Sequence, residues 1–210
     1  DLFEKGDDFL DHDTGERHLL ILADSGMGKT SFVLNYYAHN RRRRRGKRHR
    51  LALVPLGDPN ADQLIAEVRD QQETAVFLDA FDEDMKAIED HHARIRALME
   101  ACRGFRRVVI TCRTQFFPSD EEIPLETGIV RVGPREAGDS GVFEFWKLYL
   151  APFSDEDVTK YLKKRFPVWQ WAQHKKATEI ALKIPLLSAR PMLLAHIPDV
   201  VASGAQIKHP

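Results

Sequence analysis

The sequence predicts an α/β fold with a parallel sheet, followed by a small all-α domain. Three observations carry that expectation. From Arg17 onward short apolar runs alternate with amphipathic segments, a glycine-rich turn joins the first run to the first helix, and the alternation ceases after Pro152. Strands alternating with helices imply parallel crossovers, and parallel strands covered on both faces read as continuous apolar runs.

The expected strands are 18–23 (HLLILA), 51–55 (LALVP), 75–79 (AVFLD), 107–112 (RVVITC) and 145–150 (FWKLYL). The segments between the first four have helical period. Across 84–102, for example, Met85, Ile88, His92, Ile95, Met99 and Cys102 recur at steps of three and four. Residues 113–144 are less regular, and 129–132 and 142–145 flank GPREAGDSG as a hairpin would. Beyond Pro152, Ser154 and Asp157 have capping-box spacing, and Phe153 is placed to staple against Val158. Helices are expected over 155–165, 169–183 and 191–202, which divides the chain into domains at 1–152 and 153–210.

The chain has 31 Lys+Arg against 32 Asp+Glu, yet residues 41–50 (RRRRRGKRHR) hold eight of the basic side chains and no acid. The remainder carries 23 basic against 32 acidic side chains, so an acidic body bears one concentrated basic segment. The 43% hydrophobic content excludes a disordered chain. No run approaches the roughly 20 apolar residues of a membrane helix. The acidic N-terminus lacks the basic-then-apolar order of a signal peptide. Cys102 and Cys112 stand without CxxC or Cys/His spacing, which excludes a disulfide framework and structural zinc and points to the reducing cytoplasm. The chain starts at Asp1 without an initiator methionine, as expected of a piece of a longer protein.

The sharpest pattern is Ala23-Asp24-Ser25-Gly26-Met27-Gly28-Lys29-Thr30, between the first strand and a helix over 31–39. This is the strand–GxxxxGK[ST]–helix arrangement with alanine in place of the first glycine. Gly26 and Gly28 allow backbone N–H groups to turn inward around phosphate oxygens, and the helix N-terminus adds its positive dipole end. Lys29 suits β- and γ-phosphate charge, and the Thr30 hydroxyl suits Mg²⁺. About fifty residues on, FLDAFDED ends a buried strand. An acid there, Asp79, can hold Mg²⁺ through water, while Asp82 or Glu83 can orient or deprotonate the attacking water. Asp84 reads as a helix cap. Arg113 leaves the carboxyl end of VVITC, where ligands of open α/β sheets bind, within reach of a γ-phosphate.

ADSGMGKT, FLDAFDE, VVITCR, LAPFSDEDVTKYL and LLSARPMLLAHI occur in an order that resembles a NACHT-type STAND P-loop NTPase. The resemblance covers most of residues 15–202. It implies a P-loop NTPase domain with a five-stranded parallel sheet ordered 5-1-4-3-2, then the family's first helical domain. It further implies that Ser25, Gly26, Met27, Gly28, Lys29 and Thr30 wrap the phosphates, with Ser31 at the α-phosphate. Asp79 and Thr30 would serve Mg²⁺, Asp82 or Glu83 the water, Arg113 the sensor role, and Pro191 the adenine. The implied cofactors are ATP or ADP with Mg²⁺, and the implied activity is a slow ATPase switch in innate or antiviral defence. Its partners would be effector and sensor domains of the same chain, with self-oligomerisation in the ATP state.

Two other classes compete: a nucleic-acid-handling ATPase such as a helicase loader, and a nucleotide-locked scaffold without turnover. The helix after the phosphate loop can continue through 41–45 with Gly46 as its C′ residue, which makes the basic run a solvated helix end and loop. Binding of nucleic acid, anionic lipid or an acidic neighbour through 41–50 is the less favoured reading, and the lack of interleaved aromatic residues weakens single-strand recognition by stacking. His91 and His92 point about 100° apart on a helix and read as an exposed and a core histidine respectively. Cys112 reads as a small buried filler. Trp169 and Trp171, with Phe166, read as helical-domain core or an interface with absent domains.

Overall fold

A computed structural model describes residues 2–11, 17–116, 128–132 and 143–203. It divides into two compact units, residues 1–24 with 29–150 and Ser25–Gly28 with 151–210. In the first unit strands β1 (His18–Leu22), β2 (Arg50–Pro55), β3 (Thr74–Asp79), β4 (Arg107–Cys112), β5 (Gly128–Val132) and β6 (Phe143–Tyr149) form one sheet. Helices α1 (Leu2–Asp11), α2 (Lys29–Arg42), α3 (Ala61–Glu67), α4 (Met85–Glu89) and α5 (His91–Ala101) accompany it.

The sheet order is β2-β3-β4-β1-β6-β5, six strands where five were expected. Strands β2, β3, β4, β1 and β6 are mutually parallel, and β5 adds antiparallel to β6 with Val132 opposite Phe143. The hairpin pattern therefore supplies an edge strand to the same sheet, which changes the expected strand count and order. Residues 133–142 lie outside the described residues.

Side-chain alternation sorts the central strands between two cores. Leu20, Leu22, Val76, Leu78, Val108 and Ile110 pack with Ile65 of α3 and Leu98 and Met99 of α5. Leu19, Ile21, Phe77 and Val109 pack on the other face with Phe9 and Leu10 of α1 and Phe32 and Tyr36 of α2. Burial on both faces is why the strands read as unbroken apolar runs.

Helix α1 was not anticipated. Its periodic positions are Leu2, Gly6, Phe9 and Leu10, of which the last three are buried. Gly6 permits close approach, since a Cβ there would lie 3.0 Å from Tyr36 Cε2. Beside it the Tyr36 hydroxyl donates to Asp7 Oδ1 at 2.6 Å, and the Arg43 guanidinium donates to Asp7 Oδ2. Burial pushes the Asp7 carboxyl up, but bonds from Arg43 and Tyr36 outweigh it and hold the group below its ordinary value.

Three expected helices are interrupted. Residues 84–102 split because Asp90 adopts φ −152° and accepts the Ala93 N–H at 2.9 Å, capping a new helix. Met85 and Ile88 are accordingly exposed rather than part of the core stripe. Residues 191–202 split because Pro198 has no N–H to give a continuous helix and its ring would meet the carbonyl of Leu194. Helix α2 ends at Arg42, short of the expected 41–45 extension. The Asn40 amide there bonds the His49 backbone twice, at 2.8 and 3.0 Å, and turns the chain back. Gly46 consequently lies within a 3₁₀ turn, Arg45–Lys47, instead of serving as the helix's C′ residue.

In the second unit α6 (Asp155–Arg165), α7 (Trp171–Lys183), α8 (Pro185–Ser188), α9 (Pro191–Leu194) and α10 (Ile197–Ala202) follow one another. The Ser154–Asp157 capping box forms in both directions. Val158, Leu162, Ala177, Ala181, Leu194 and Val201 make its core, with Phe153 and Phe166 packed against them. Trp169 and Trp171 are 80% and 69% exposed, so the core reading fails for both. No described helix is long and apolar enough to cross a membrane.

Asp7→Asn should lower stability by about 1–3 kcal/mol at pH 7, the cost of weakening bonds to a charged group. Because folding depresses the Asp7 pKa, its contribution is present above the ordinary value of 3.8 and is lost as pH falls through the folded value. Urea unfolding of both proteins between pH 7 and pH 3, on the order of one step per pH unit, should show the gap closing in acid. A gap that stays constant would remove Asp7 from the α1–α2 contact.

Candidate phosphate and acid site

The loop after β1 has the backbone that its glycines permit. Gly26 and Gly28 take φ values of 78° and 90°, a region costly to residues with a Cβ. Ala23 is not in that region, so alanine fits the position where the motif usually carries its first glycine. It is buried, its N–H donates to the Cys112 carbonyl at 3.2 Å, and its own carbonyl accepts Lys29 Nζ at 3.0 Å. Lys29 opens α2, with Thr30 and Ser31 exposed in the first turn. Ser25–Gly28 group with the second unit, where the Met192 N–H donates to the Gly26 carbonyl at 3.2 Å and Met27 is buried. Pro191, the residue before Met192, occupies the first turn of α9.

The acid motif is built on β3 and β4. Asp79, 5% exposed at the end of β3, accepts the Thr111 hydroxyl at Oδ1, 2.6 Å away. The same hydroxyl accepts the Ala80 N–H at 2.9 Å. Ala80 has φ 61° and ψ 58°, the left-handed conformation that costs a non-glycine residue roughly 1–2 kcal/mol. That turn feeds a short 3₁₀ segment, Phe81–Glu83, whose two acids have different surroundings. The Asp82 side chain is 4% exposed and that of Glu83 is 59% exposed.

Arg113 is tied to both acids. Its N–H donates to Asp82 Oδ1 at 2.9 Å and its Nε lies 2.7 Å from Asp82 Oδ2. A terminal guanidinium nitrogen lies 3.7 Å from Glu83 Oε1. The structure thus brings Arg113, Asp82 and Glu83 together in one cluster of the first unit. Asp84, read from sequence as a cap, accepts the Lys86 N–H at 2.9 Å and caps α4. It also holds Arg94 Nε at 2.6 Å, and Arg94 reaches Asp62 at 2.8 Å. Burial alone would lower the Arg94 pKa, but bonds to Asp62 and Asp84 raise it.

Burial drives the Cys112 thiol far above its ordinary value, with Asp82 pushing the same way and Lys29 opposing. That sulfur is fully buried at the end of β4, as suits a small core filler. Cys102 is pushed up to about 12 by burial. His91 is half-buried beside Phe116 while His92 is exposed, the reverse of the expected assignment. The reason is the restart of the helix at His91, which shifts the phase. Among the described residues no group of three His, Cys, Asp or Glu side chains could hold a metal ion unaided.

Sequence reading missed Thr111 and Ala80. The available sign for Thr111 was one hydroxyl within the apolar run VVITC.

No protein-family model matches the chain, and no curated protein matches it. Among solved structures the chain is similar to Drosophila ORC bound to DNA, with a TM-score of 0.44 and 12% identity over 93% of this chain. It spans 65% of the length of that chain. None of these comparisons names the NACHT-type family, so that assignment stands as a proposal.

Thr111→Val should cost about 1–3 kcal/mol in chemical denaturation, because it strands a buried carboxylate oxygen and the Ala80 N–H. Thr111→Ser, which keeps the hydroxyl, should lose well under half of that. Ala80→Gly should stay within about 1 kcal/mol of wild type while Ala80→Val falls further, since only glycine adopts the left-handed turn freely. Equal losses in the two Ala80 variants would refute the backbone argument.

Proposed function

We propose that the chain is an ATP- and ADP-binding P-loop module that works with Mg²⁺ as a nucleotide-controlled switch within a larger NACHT-type STAND protein. The observation that carries this reading is the loop after β1. Two glycines in left-handed backbone precede a lysine and a threonine at the start of a helix, a geometry suited to wrapping phosphate oxygens in N–H groups.

The donor set fits the cofactor. Mg²⁺ takes one or two protein oxygens and fills its shell with water and phosphate oxygens. Thr30 would supply a hydroxyl and Asp79 a carboxylate, oriented by Thr111 as ligating carboxylates commonly are. Bound Mg²⁺ would neutralise charge on the transferring phosphoryl group. Gly26, Gly28 and Lys29 would hold the phosphates, with Ser25, Met27 and Ser31 completing the loop and Pro191 packing on adenine.

The two candidate bases divide by environment. Asp82 is buried and spent on Arg113, whereas Glu83 is exposed and 3.7 Å from the nearest guanidinium nitrogen. We assign water orientation to Glu83 and the holding of Arg113 to Asp82. The wider setting, oligomerisation and defence signalling through further domains, is what the family resemblance supports.

Titration calorimetry of the purified chain should show ATP and ADP binding that Lys29→Ala weakens by more than about tenfold, or roughly 1.4 kcal/mol. Thr30→Ala should remove the dependence of affinity on Mg²⁺. Glu83→Gln should bind ATP as wild type does and abolish turnover, while Asp82→Asn should also release Arg113 and alter binding. Absence of nucleotide binding by the wild-type chain would end the proposal; turnover unchanged in Glu83→Gln would move the base elsewhere.

A further inference from the structure

The end of the sheet opposite the phosphate loop carries a second charged feature that nucleotide binding does not use. Arg44 to His49 precede β2, and Arg106 precedes β4, so these residues gather at the amino ends of parallel strands. The phosphate loop and Asp79 follow carboxyl ends of the same sheet. A cleft of about 810 Å³ opens there, lined by Arg43, Arg44, Lys47, Arg48 and Arg106 with Asp7 and Asp11.

The charge of this lining is only partly cancelled internally, since Arg43, Arg44, Lys47, Arg48 and Arg106 face the two carboxylates of Asp7 and Asp11. Asp7 is engaged by Tyr36 and Arg43, which accounts for one acid and one base. Asp11 faces His49 Nε2 at 3.3 Å, and burial holds the His49 pKa below its ordinary value. The guanidinium of Arg48 donates to the Arg41 carbonyl, and that of Arg106 donates to the Leu10 carbonyl at 2.8 Å. Bonds to neutral carbonyls orient a guanidinium without neutralising it. Among the described residues Arg44, Lys47, Arg48 and Arg106 have no carboxylate partner, and neither do Arg41, Arg42 and Arg45 on the neighbouring turn. This charge stands on a chain whose other residues are acidic in sum.

We propose that this cleft binds the phosphodiester backbone of a nucleic acid, independently of the nucleotide site. The chemistry narrows the class. Several cations without acid partners, spread over a concave lining, suit a chain of phosphates better than a single one. Among the described residues no Phe, Tyr or Trp lines the cleft, and its one imidazole, His49, is largely buried and turned to Asp11, so bases lack a stacking platform and the contact reads backbone instead of sequence. A bilayer is a poorer match: its headgroup plane does not enter a concavity, and residues 41–50 hold no apolar side chain to reach the acyl region.

Fluorescence anisotropy with labelled duplexes of arbitrary sequence, one DNA and one RNA, tests the proposal. Four phosphate contacts predict a log–log salt slope of roughly −3.6 on DNA, which is about a hundredfold loss between 50 and 200 mM salt. Arg44→Glu with Lys47→Glu, both exposed, should weaken binding at least about tenfold and reduce the slope by about 2, with circular dichroism confirming the fold. Lys163→Glu with Lys164→Glu, on the last turn of α6, should leave affinity unchanged. Lys29→Ala should also bind as wild type, which separates this site from the phosphate loop. Binding of either duplex with this pattern supports the proposal. It is overturned by no binding at physiological salt, by equal loss in the two double variants, by tenfold differences between unrelated sequences, or by phosphatidylserine vesicles binding more tightly than both duplexes.

Discussion

One hydroxyl holds the acid end of the sheet together. Thr111, fully buried on β4, donates to Asp79 and accepts from Ala80, so it fixes the carboxyl end of β3 and the left-handed turn that follows. The turn sets the phase of Phe81–Glu83, and hence which acid points inward. Two residues beyond Thr111, Arg113 leaves the neighbouring strand and meets Asp82. Parallel pairing of β3 with β4 supplies the register, Leu78 opposite Ile110, and Thr111 locks it. The strain of a non-glycine residue in left-handed backbone persists because both sides of the turn are tied down.

The distribution of charge follows from the same sheet. Parallel strands with both faces covered leave only their two ends for polar chemistry, since the faces are filled by Leu20, Leu22, Val76 and Ile110 on one side and Leu19, Ile21 and Phe77 on the other. Asp79, Asp82, Glu83, Arg113 and the phosphate-loop lysine follow carboxyl ends, while Arg50 and Arg107 open β2 and β4 at the amino ends, where Arg50 pairs with Asp70 and Glu73. A net charge of −1 thus conceals one concentrated basic segment, 41–50, on a remainder that is acidic in sum.

Most of the strands were legible because burial on both faces leaves a strong compositional mark, and the Ser154 cap was legible because its partners are three residues apart. What escaped was set by contacts distant in sequence or by single residues inside a periodic stretch. Asp90 interrupts an apolar stripe that otherwise runs from Met85 to Cys102, and its capping bond to Ala93 decides where helix phase restarts. That restart exchanged the environments of His91 and His92. Helix α2 stops where it does because Asn40 finds His49 and Arg43 finds Asp7, partners 9 and 36 residues away. For the candidate site, residue types and order pointed to Lys29, Asp79 and Arg113 but carried no sign of the hydroxyl that orients Asp79, nor of the pairing of Arg113 with Asp82.

That commitment bears on how a switch of this kind would be set. Arg113 is 47% exposed, and exposed ion pairs contribute about 0–1 kcal/mol, so its own hold on the cluster is weak. Asp82 is nearly fully buried, and a buried carboxylate deprived of its cation carries a penalty of several kcal/mol. The asymmetry means that moving Arg113 towards a phosphate is opposed chiefly by what happens to Asp82. A ligand shifts such an equilibrium only by its differential affinity for the two arrangements. A phosphate that attracts Arg113 must therefore also leave Asp82 solvated or re-paired, for otherwise the arginine returns. In the proposed switch the acid would set the threshold, and Arg113 would be the element that moves.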